Sequence, residues 1–459
     1  MRKSIALIGT ILIAGCSLAP NYERPTAPVA ANWAETDASG TRVVAGLDWR
    51  AYFPDAQLQA LIADALEHNR DLRIAVARVE EARGLYGVTR ADRLPNIDLA
   101  ASGTHAHTPA DLSATGSGIT SHRYDVNVSM VSFELDFWGR VANLAEAARR
   151  SYLATEEAQR AFKLSLISDV ANAWFVLLEM NERTALARET VATREETRKL
   201  ISRRRDVGIA GDLDYLAADG AWQASKAELA NLERQQTAAN NALTLLVGKP
   251  LEKLATETKL AEQGVVADLA AGLPSDVLVQ RPDVLAAEQK LIAANANIGA
   301  ARAAFLPRIS LTGAFGTASR TLSGLFESDS EAWNYQPALR LPLFDFGRVA
   351  ANVDVAEARK VVAVADYEKT VQAAFREVAD LLAARDKLAT QLAALEAAEQ
   401  AQSARKRIAD ARYEAGISSY LEVLDAQREL FNAQQSVVAT RRAGLTTAAQ
   451  LYKALGGGA

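Results

Sequence analysis

Apolar and polar residues alternate in four short runs of this chain. In NIDLAASG, Ile97, Leu99 and Ala101 fall on one face, and in YDVNVSM, Tyr124, Val126, Val128 and Met130 do. A later pair offers Ile309, Leu311 and Gly313, then Trp333, Tyr335, Pro337, Leu339 and Leu341. A period of two over such lengths predicts strands with one apolar face, at about 96–106, 122–136, 308–318 and 333–345. The stretch after each pair is different in kind. From Arg140 to Val207, and again from Arg348 to Ala415, there is no glycine or proline, and Ala, Glu, Arg, Leu and Val dominate. Most of these are good helix formers, so unbroken helices are predicted at about 139–207 and 347–415, each able to reach about 100 Å. Shorter helices are expected over 55–93 and 282–305, ahead of Leu94-Pro95 and Leu306-Pro307, and over 210–247 and 418–455.

The same order of elements is written twice. FELDFWGRVA ends the first strand pair and LFDFGRVA the second, with Gly139 and Gly347 at equivalent places. RADRLPNIDL at 90–99 answers RAAFLPRISL at 302–311, and Gly208 and Gly248 answer Gly416 and Gly456. The reading is of two tandem repeats, 55–249 and 282–459, joined by a linker at 250–281 and preceded by a segment at 16–54. Each phrase turns a strand into a long helix, with Gly139 or Gly347 at the bend, where glycine's backbone freedom is useful. Phe133, Phe137, Trp138, Phe344 and Phe346 beside these bends read either as ordinary core aromatics or as a belt at a membrane–water interface. The alternating runs ahead of them favour the interface.

Composition narrows the classes. The chain has 459 residues, is 49% hydrophobic but only 6% aromatic, and carries a net charge of -5. Aliphatic and alanine-rich content suits long, closely packed helices, and the acidic balance speaks against nucleic acid. No window holds eighteen or so uninterrupted apolar residues, so any membrane crossing would be made by strands. MRKSIALIGTILIAGC opens with two basic residues and a short apolar stretch, the pattern of an export signal over 1–15. Ile13-Ala14-Gly15-Cys16 resembles a lipobox, which makes Cys16, the sole cysteine, a lipidation site carrying diacylglycerol and an N-acyl chain. The alternative is a plain buried cysteine. LAPNYERPTAPVA then reads as an extended tether. In a bilayer an open sheet edge leaves backbone groups unpaired, and known barrels need about eight strands or more. Four strands therefore imply that several copies share one barrel.

No catalytic constellation is visible: no nucleophile with a base, no phosphate loop, no paired metal ligands on a helix. His105 and His107 share a strand face and His122 opens the partner strand. That geometry allows a metal site, and the plainer reading is solvated loop histidines. On the last helix, Leu421, Asp425 and Arg428 stand at i, i+4 and i+7, on one face. Glu422 and Asp214 are equivalent by the repeat, and read either as surface charges or as an acidic ring.

The chain closely resembles the outer membrane factors, the TolC-like family, in its OprM and NodT lipoprotein branch. The resemblance spans nearly the whole mature chain: Asp48-Trp49 and Phe53, Ala65-Leu66 through Asn69, Asp71 and Leu72, Leu273-Pro274-Ser275-Asp276, and Arg281-Pro282-Asp283. It continues through Ala294-Asn295-Ala296, Pro342-Leu343-Phe344-Asp345, Gly347-Arg348, and Tyr420-Leu421 to Leu424-Asp425-Ala426-Gln427-Arg428. One departure is Phe346, where the family often has a second glycine. The resemblance implies a lipid-anchored homotrimer with a shared twelve-stranded barrel in the outer membrane, continuous with a periplasmic helical tunnel and girdled by an equatorial belt. It also implies an efflux or secretion exit duct docked to a periplasmic adaptor (membrane fusion) protein and an inner-membrane transporter of RND type. Leu421, Asp425 and Arg428 match the family's periplasmic gate, and Ala217 and Gly220 at the corresponding places of the first repeat leave the second to lock it. Two other classes compete. A periplasmic adaptor fits the duplication poorly, and a structural coiled-coil lipoprotein would show leucine heptads without strand pairs.

Overall fold

A computed structural model describes residues 17–30, 42–43, 47–251, 258–265, 269–270 and 278–458. Cys16 and the export signal lie outside the described residues. These hold eight helices: α1 (Trp49–Tyr52), α2 (Ala56–His68), α3 (Arg70–Ala91), α4 (Arg140–Asp206), α5 (Asp212–Val247), α6 (Pro282–Ala303), α7 (Arg348–Glu414) and α8 (Tyr420–Ala454). The strands are β1 (Arg42–Val43), β2 (Ile97–Thr108), β3 (Ile119–Glu134), β4 (Leu269–Ala270), β5 (Arg308–Ser319) and β6 (Glu331–Arg340). The chain divides into two units, one of residues up to Thr26 with Arg78–Glu156 and Ala286–Tyr367, the other of the remainder.

The first unit holds a four-stranded antiparallel sheet in the order β2-β3-β5-β6. Register puts Leu99 against Val128, Val128 against Phe315 and Phe315 against Trp333, so one face collects the apolar residues of all four strands. Ile97, Leu99, Phe315, Trp333, Tyr335 and Leu339 on that face are 62–77% exposed. The opposite face is polar, with Asp98, Asn127, Thr312, Asn334 and Gln336. A bulge interrupts β3 between Met130 and Phe133, where Ser132 takes φ +55° and donates its N–H to Thr312 Oγ1 (3.0 Å). Gly316 is needed for contact, because a Cβ there would lie 2.1 Å from the Val126 carbonyl oxygen. β6 ends at Arg340, short of the expected 345. Pro342 has no N–H for the ladder, and Asp345 caps α7 by accepting from the N–H groups of Gly347 (3.0 Å) and Val349 (2.8 Å). Asp136 does the same at α4, accepting from Ala142 N–H (2.7 Å). Gly139 and Gly347, at φ +69° and +84°, stand one residue before the two 67-residue helices. Phe346 takes φ +54°, a left-handed conformation costing a non-glycine residue about 1–2 kcal/mol, and its ring is wholly exposed. Trp138 donates its indole N–H to the Pro307 carbonyl (2.8 Å). Residues 17–24 are strapped to this unit. Tyr22 and Arg24 both reach the buried Glu288, and Asn295 donates to the Pro20 carbonyl (2.6 Å).

The second unit is mostly helical. One helix, α4, has a window long and apolar enough to cross a membrane, but 56% of that window is buried within the fold, including Leu164, Ile167, Val170, Trp174 and Phe175. It is core. Tyr52, Phe53 and Tyr452 cluster, with Tyr52 stacked on Tyr452 at 4.8 Å, and the Tyr452 hydroxyl donates to the Leu47 carbonyl (2.9 Å). The expected single helix over 55–93 is two, broken at Asn69. Its side chain accepts from Leu72 N–H (2.8 Å) to start α3 and donates to the Leu246 carbonyl (2.7 Å) at the end of α5. Propensity favoured continuity, and this buried cap outweighs it. β1 and β4 pair in parallel.

Candidate gate at the helix tips

The turns α4–α5 and α7–α8 close in the same way. Gly208 and Gly416 take φ +78° and +71°. Ile209 N–H returns to the Arg204 carbonyl (2.8 Å) and Gly208 N–H to Arg205 (2.9 Å), while Ile417 and Gly416 repeat the pattern on Arg412 and Tyr413. This is the Schellman closure that glycine at C′ allows. Behind the turns Ile201, Ala218, Ala409, Tyr420, Val423 and Ala426 share one core, so both hairpins form a single tip. Burial there pushes the Tyr420 hydroxyl up to about 12. Ile209, Leu213, Ile417 and Leu421 remain 70–80% exposed.

Asp425, in the first turns of α8, is held by two arginines. Arg405 Nη2 on α7 donates from 2.5 Å, and Arg428 Nη2 donates from its own helix. Arg428 Nε also reaches Glu429 (3.2 Å), and Glu422 lies 3.7 Å from Arg412. Of the two acids read as an acidic ring, Glu422 is therefore paired with arginine within the chain, as the gate residue Asp425 is. Asp214 sits in the first turn of α5, where the helix dipole favours a carboxylate. Leu421, Glu422, Asp425 and Arg428, with Arg405, Arg194 and Glu228, line a cavity of about 840 Å³.

The first hairpin carries Ala217 and Gly220 where the second has Asp425 and Arg428, yet it is not without a charged tie. Arg198 on α4 binds Asp219 on α5 at 2.5 Å, with its guanidinium 4.7 Å from the Trp222 ring centre. The expected asymmetry is thus one of residue identity, since each hairpin joins its helices by an arginine–carboxylate pair. Sequence reading passed over Arg405, Arg198 and Arg194. A hairpin folded at Gly416 sets residue 405 opposite 425, so the first of these had a legible signal. Arg194 had none. Burial holds its guanidinium below the usual range, and its Nη1 donates to the Ala221 carbonyl (3.0 Å) while its Nε has no partner among the described residues.

His105, His107 and His122 are strand residues and not loop residues. His105 and His122 are opposite each other in the β2–β3 register with hydrogen-bonded Nδ1 atoms, and His107 pairs with Thr120 (2.9 Å). All are exposed on the sheet's apolar-side face. Among the described residues no group of three or more His, Cys, Asp or Glu is placed to hold a metal ion.

The family model "Outer membrane efflux protein" matches residues 61–249 and 273–457. The chain is 43% identical over 464 residues to the outer membrane protein OprJ of Pseudomonas aeruginosa, covering 100% of this chain and 97% of that protein. It is 42% identical over 462 residues to the solvent efflux pump outer membrane protein SrpC of Pseudomonas putida, covering 99% and 98%. Among solved structures it is similar to the open state of the Neisseria gonorrhoeae MtrE outer membrane channel, with a TM-score of 0.89 and 38% identity over 96% of this chain and 98% of that one. CusC matches with a TM-score of 0.86 at 38% identity, covering 96% of this chain and 100% of that one. The long helices, the paired strands and the capped junctions are those of a TolC-like channel with a β-barrel and a helical tunnel, and the chain belongs to the outer membrane efflux protein family, as a channel of the outer membrane that extends into the periplasm.

Proposed function

We propose that the protein is the passive exit duct of a tripartite efflux pump, working as a homotrimer gated at its periplasmic helix tips. Two tandem repeats per chain supply four strands, and three chains close a twelve-stranded barrel. A sheet with two free edges and an exposed apolar face supports this, because the apolar face suits lipid while free edges are not tolerated there without closure. Cys16 carries the lipid anchor. The exposed Val207, Ile209 and Ile417 at the tips suit docking of a periplasmic adaptor, which couples the duct to an inner-membrane transporter of RND type. The cargo is small organic molecules, in keeping with the names of the solvent, toluene and antibiotic pump relatives.

The gate consists of Leu421, Asp425 and Arg428, with Asp214 and Glu422 as flanking acids. The observation that carries it is the Asp425 carboxylate shared between Arg405 on α7 and Arg428 on α8. Splaying these helices requires breaking that bridge. Single-channel conductance in planar bilayers tests it. Asp425→Ala/Arg428→Ala should conduct more than the wild type, and unchanged conductance from folded protein would sink the gate.

A further inference from the structure

Resting on the trimer reading, the structure assigns the seam at which one copy joins the next. β2 and β6, the outer strands of the sheet, run antiparallel and are each bonded on one side only. Their polar faces carry opposite charges at the same end. Asp98 is the second residue of β2 and Arg340 the last of β6. Both are exposed, and among the described residues Asp98 holds only Asn96 Nδ2 (3.1 Å) while Arg340 has no carboxylate partner. We infer that Arg340 of one copy pairs with Asp98 of the next, and that the chain's own β3–β5 seam sets the register.

The register follows from the repeat. Ile97 faces Met130 in the first strand pair, and Ile309 faces Leu339 in the second. Ile97 and Ile309 are equivalent through RADRLPNIDL and RAAFLPRISL, so Met130 corresponds to Leu339 and Gly313 to Ala101. Within the chain Met130 faces Gly313. Between chains Leu339 then faces Ala101, Ala338 faces Ser102, and Arg340 faces Ala100. Asp98 lies diagonally beside Arg340 on the same face, within an arginine's reach. On the apolar face the same register sets Tyr335 against His105 and Trp333 against His107. It extends the aromatic contact that His105 already makes with Tyr124 at 5.5 Å. A register shifted by one residue would turn one strand's apolar face inward, so facing alone excludes it.

Disulfide trapping tests the seam in the full-length protein. Within one chain Ser102 and Ala338 are separated by three strand spacings, roughly 14 Å sideways, and are also displaced along the strands, so they are too far apart for an intrachain bridge. Oxidised Ser102→Cys/Ala338→Cys should give covalent dimers and trimers on denaturing gels, released by reductant, where either single variant gives none. A bridge from Ser102→Cys/Gln336→Cys in its place overturns the register. Arg340→Asp should leave about tenfold less trimer in unheated detergent, and adding Asp98→Arg should restore it. No rescue overturns the ion pair. Native mass spectrometry of the wild type separates the two layers: a trimer with no trapped bridge refutes the seam alone, and the absence of a trimer refutes the reading beneath it.

Discussion

Arg281 shows how one residue fixes an element boundary. Its side chain is 5% exposed and reaches Asp283 (2.9 Å), Glu377 (2.7 Å) and the Ala454 carbonyl (2.7 Å). It thereby ties the start of α6 to α7 and to the end of α8. Arg281→Ala leaves the Ala454 carbonyl and two part-exposed carboxylates without their shared donor and should cost about 1–3 kcal/mol. Thermal melting of the detergent-solubilised protein measures it. Asp283 carries a pH signature. Burial alone would raise its carboxyl, but Arg281 outweighs burial and holds it below the usual range. A depressed acid stabilises the fold above its unfolded pKa and loses that contribution as pH falls through the folded one. The wild type should therefore lose stability below about pH 4, and Asp283→Asn should show a flatter profile there. An equally steep acid limb in the variant would assign the loss to other carboxylates. Phe346 makes a different residue-scale point. The sequence marked it only as a departure from a glycine, and its left-handed φ of +54° gives the physical reason a glycine suits that place.

At the scale of elements, the long helices and the strands were legible because their signals are local. A stretch without glycine or proline and a period of two are properties of neighbours in the chain. The break at Asn69 was not, because its anchor comes from the far end of α5. Asn69 is 4% exposed and spends its amide on Leu246, and Gly248 closes the same contact at φ +82°. A Cβ on Gly248 would meet the His68 carbonyl oxygen at 2.5 Å, backbone that cannot swing aside. Asn69→Ala should cost about 1–3 kcal/mol through the lost cap and an orphaned carbonyl. Gly248→Ala should cost more, since it adds left-handed strain to the collision. Hydrogen exchange across α2 and α5 would locate the loss, and equal stability of the two variants would contradict the packing. The tip shows the same division. Leu421, Asp425 and Arg428 were legible as one helix face, whereas Arg405, 20 residues away on the partner helix, becomes legible only once the chain is folded back at Gly416. Arg194 was invisible because its significance is burial beside a cavity, which no spacing encodes.

For the whole molecule the decisive asymmetry is between the two faces of one sheet. Val128 and Phe315 are cross-strand neighbours near the middle of β3 and β5, exposed at 48% and 62% on the apolar face. Asn127, the adjacent residue of β3, lies opposite Gly316 on the polar face. If the apolar face meets lipid and the polar face lines the duct, the same charge placed one residue apart must have opposite consequences. Val128→Arg puts a cation at mid-bilayer, costing about 2–4 kcal/mol in each chain, and every copy in the assembly carries it. Asn127→Arg puts the cation in water, where it changes ion selectivity and leaves assembly intact. Trimer yield in the outer-membrane fraction should therefore collapse for the first and hold for the second, whose reversal potential in planar bilayers should shift toward anions. Equal yields would mean that the apolar face is covered by protein, and the four strands would then have to be a packed sheet of a periplasmic assembly instead of a share of a barrel wall.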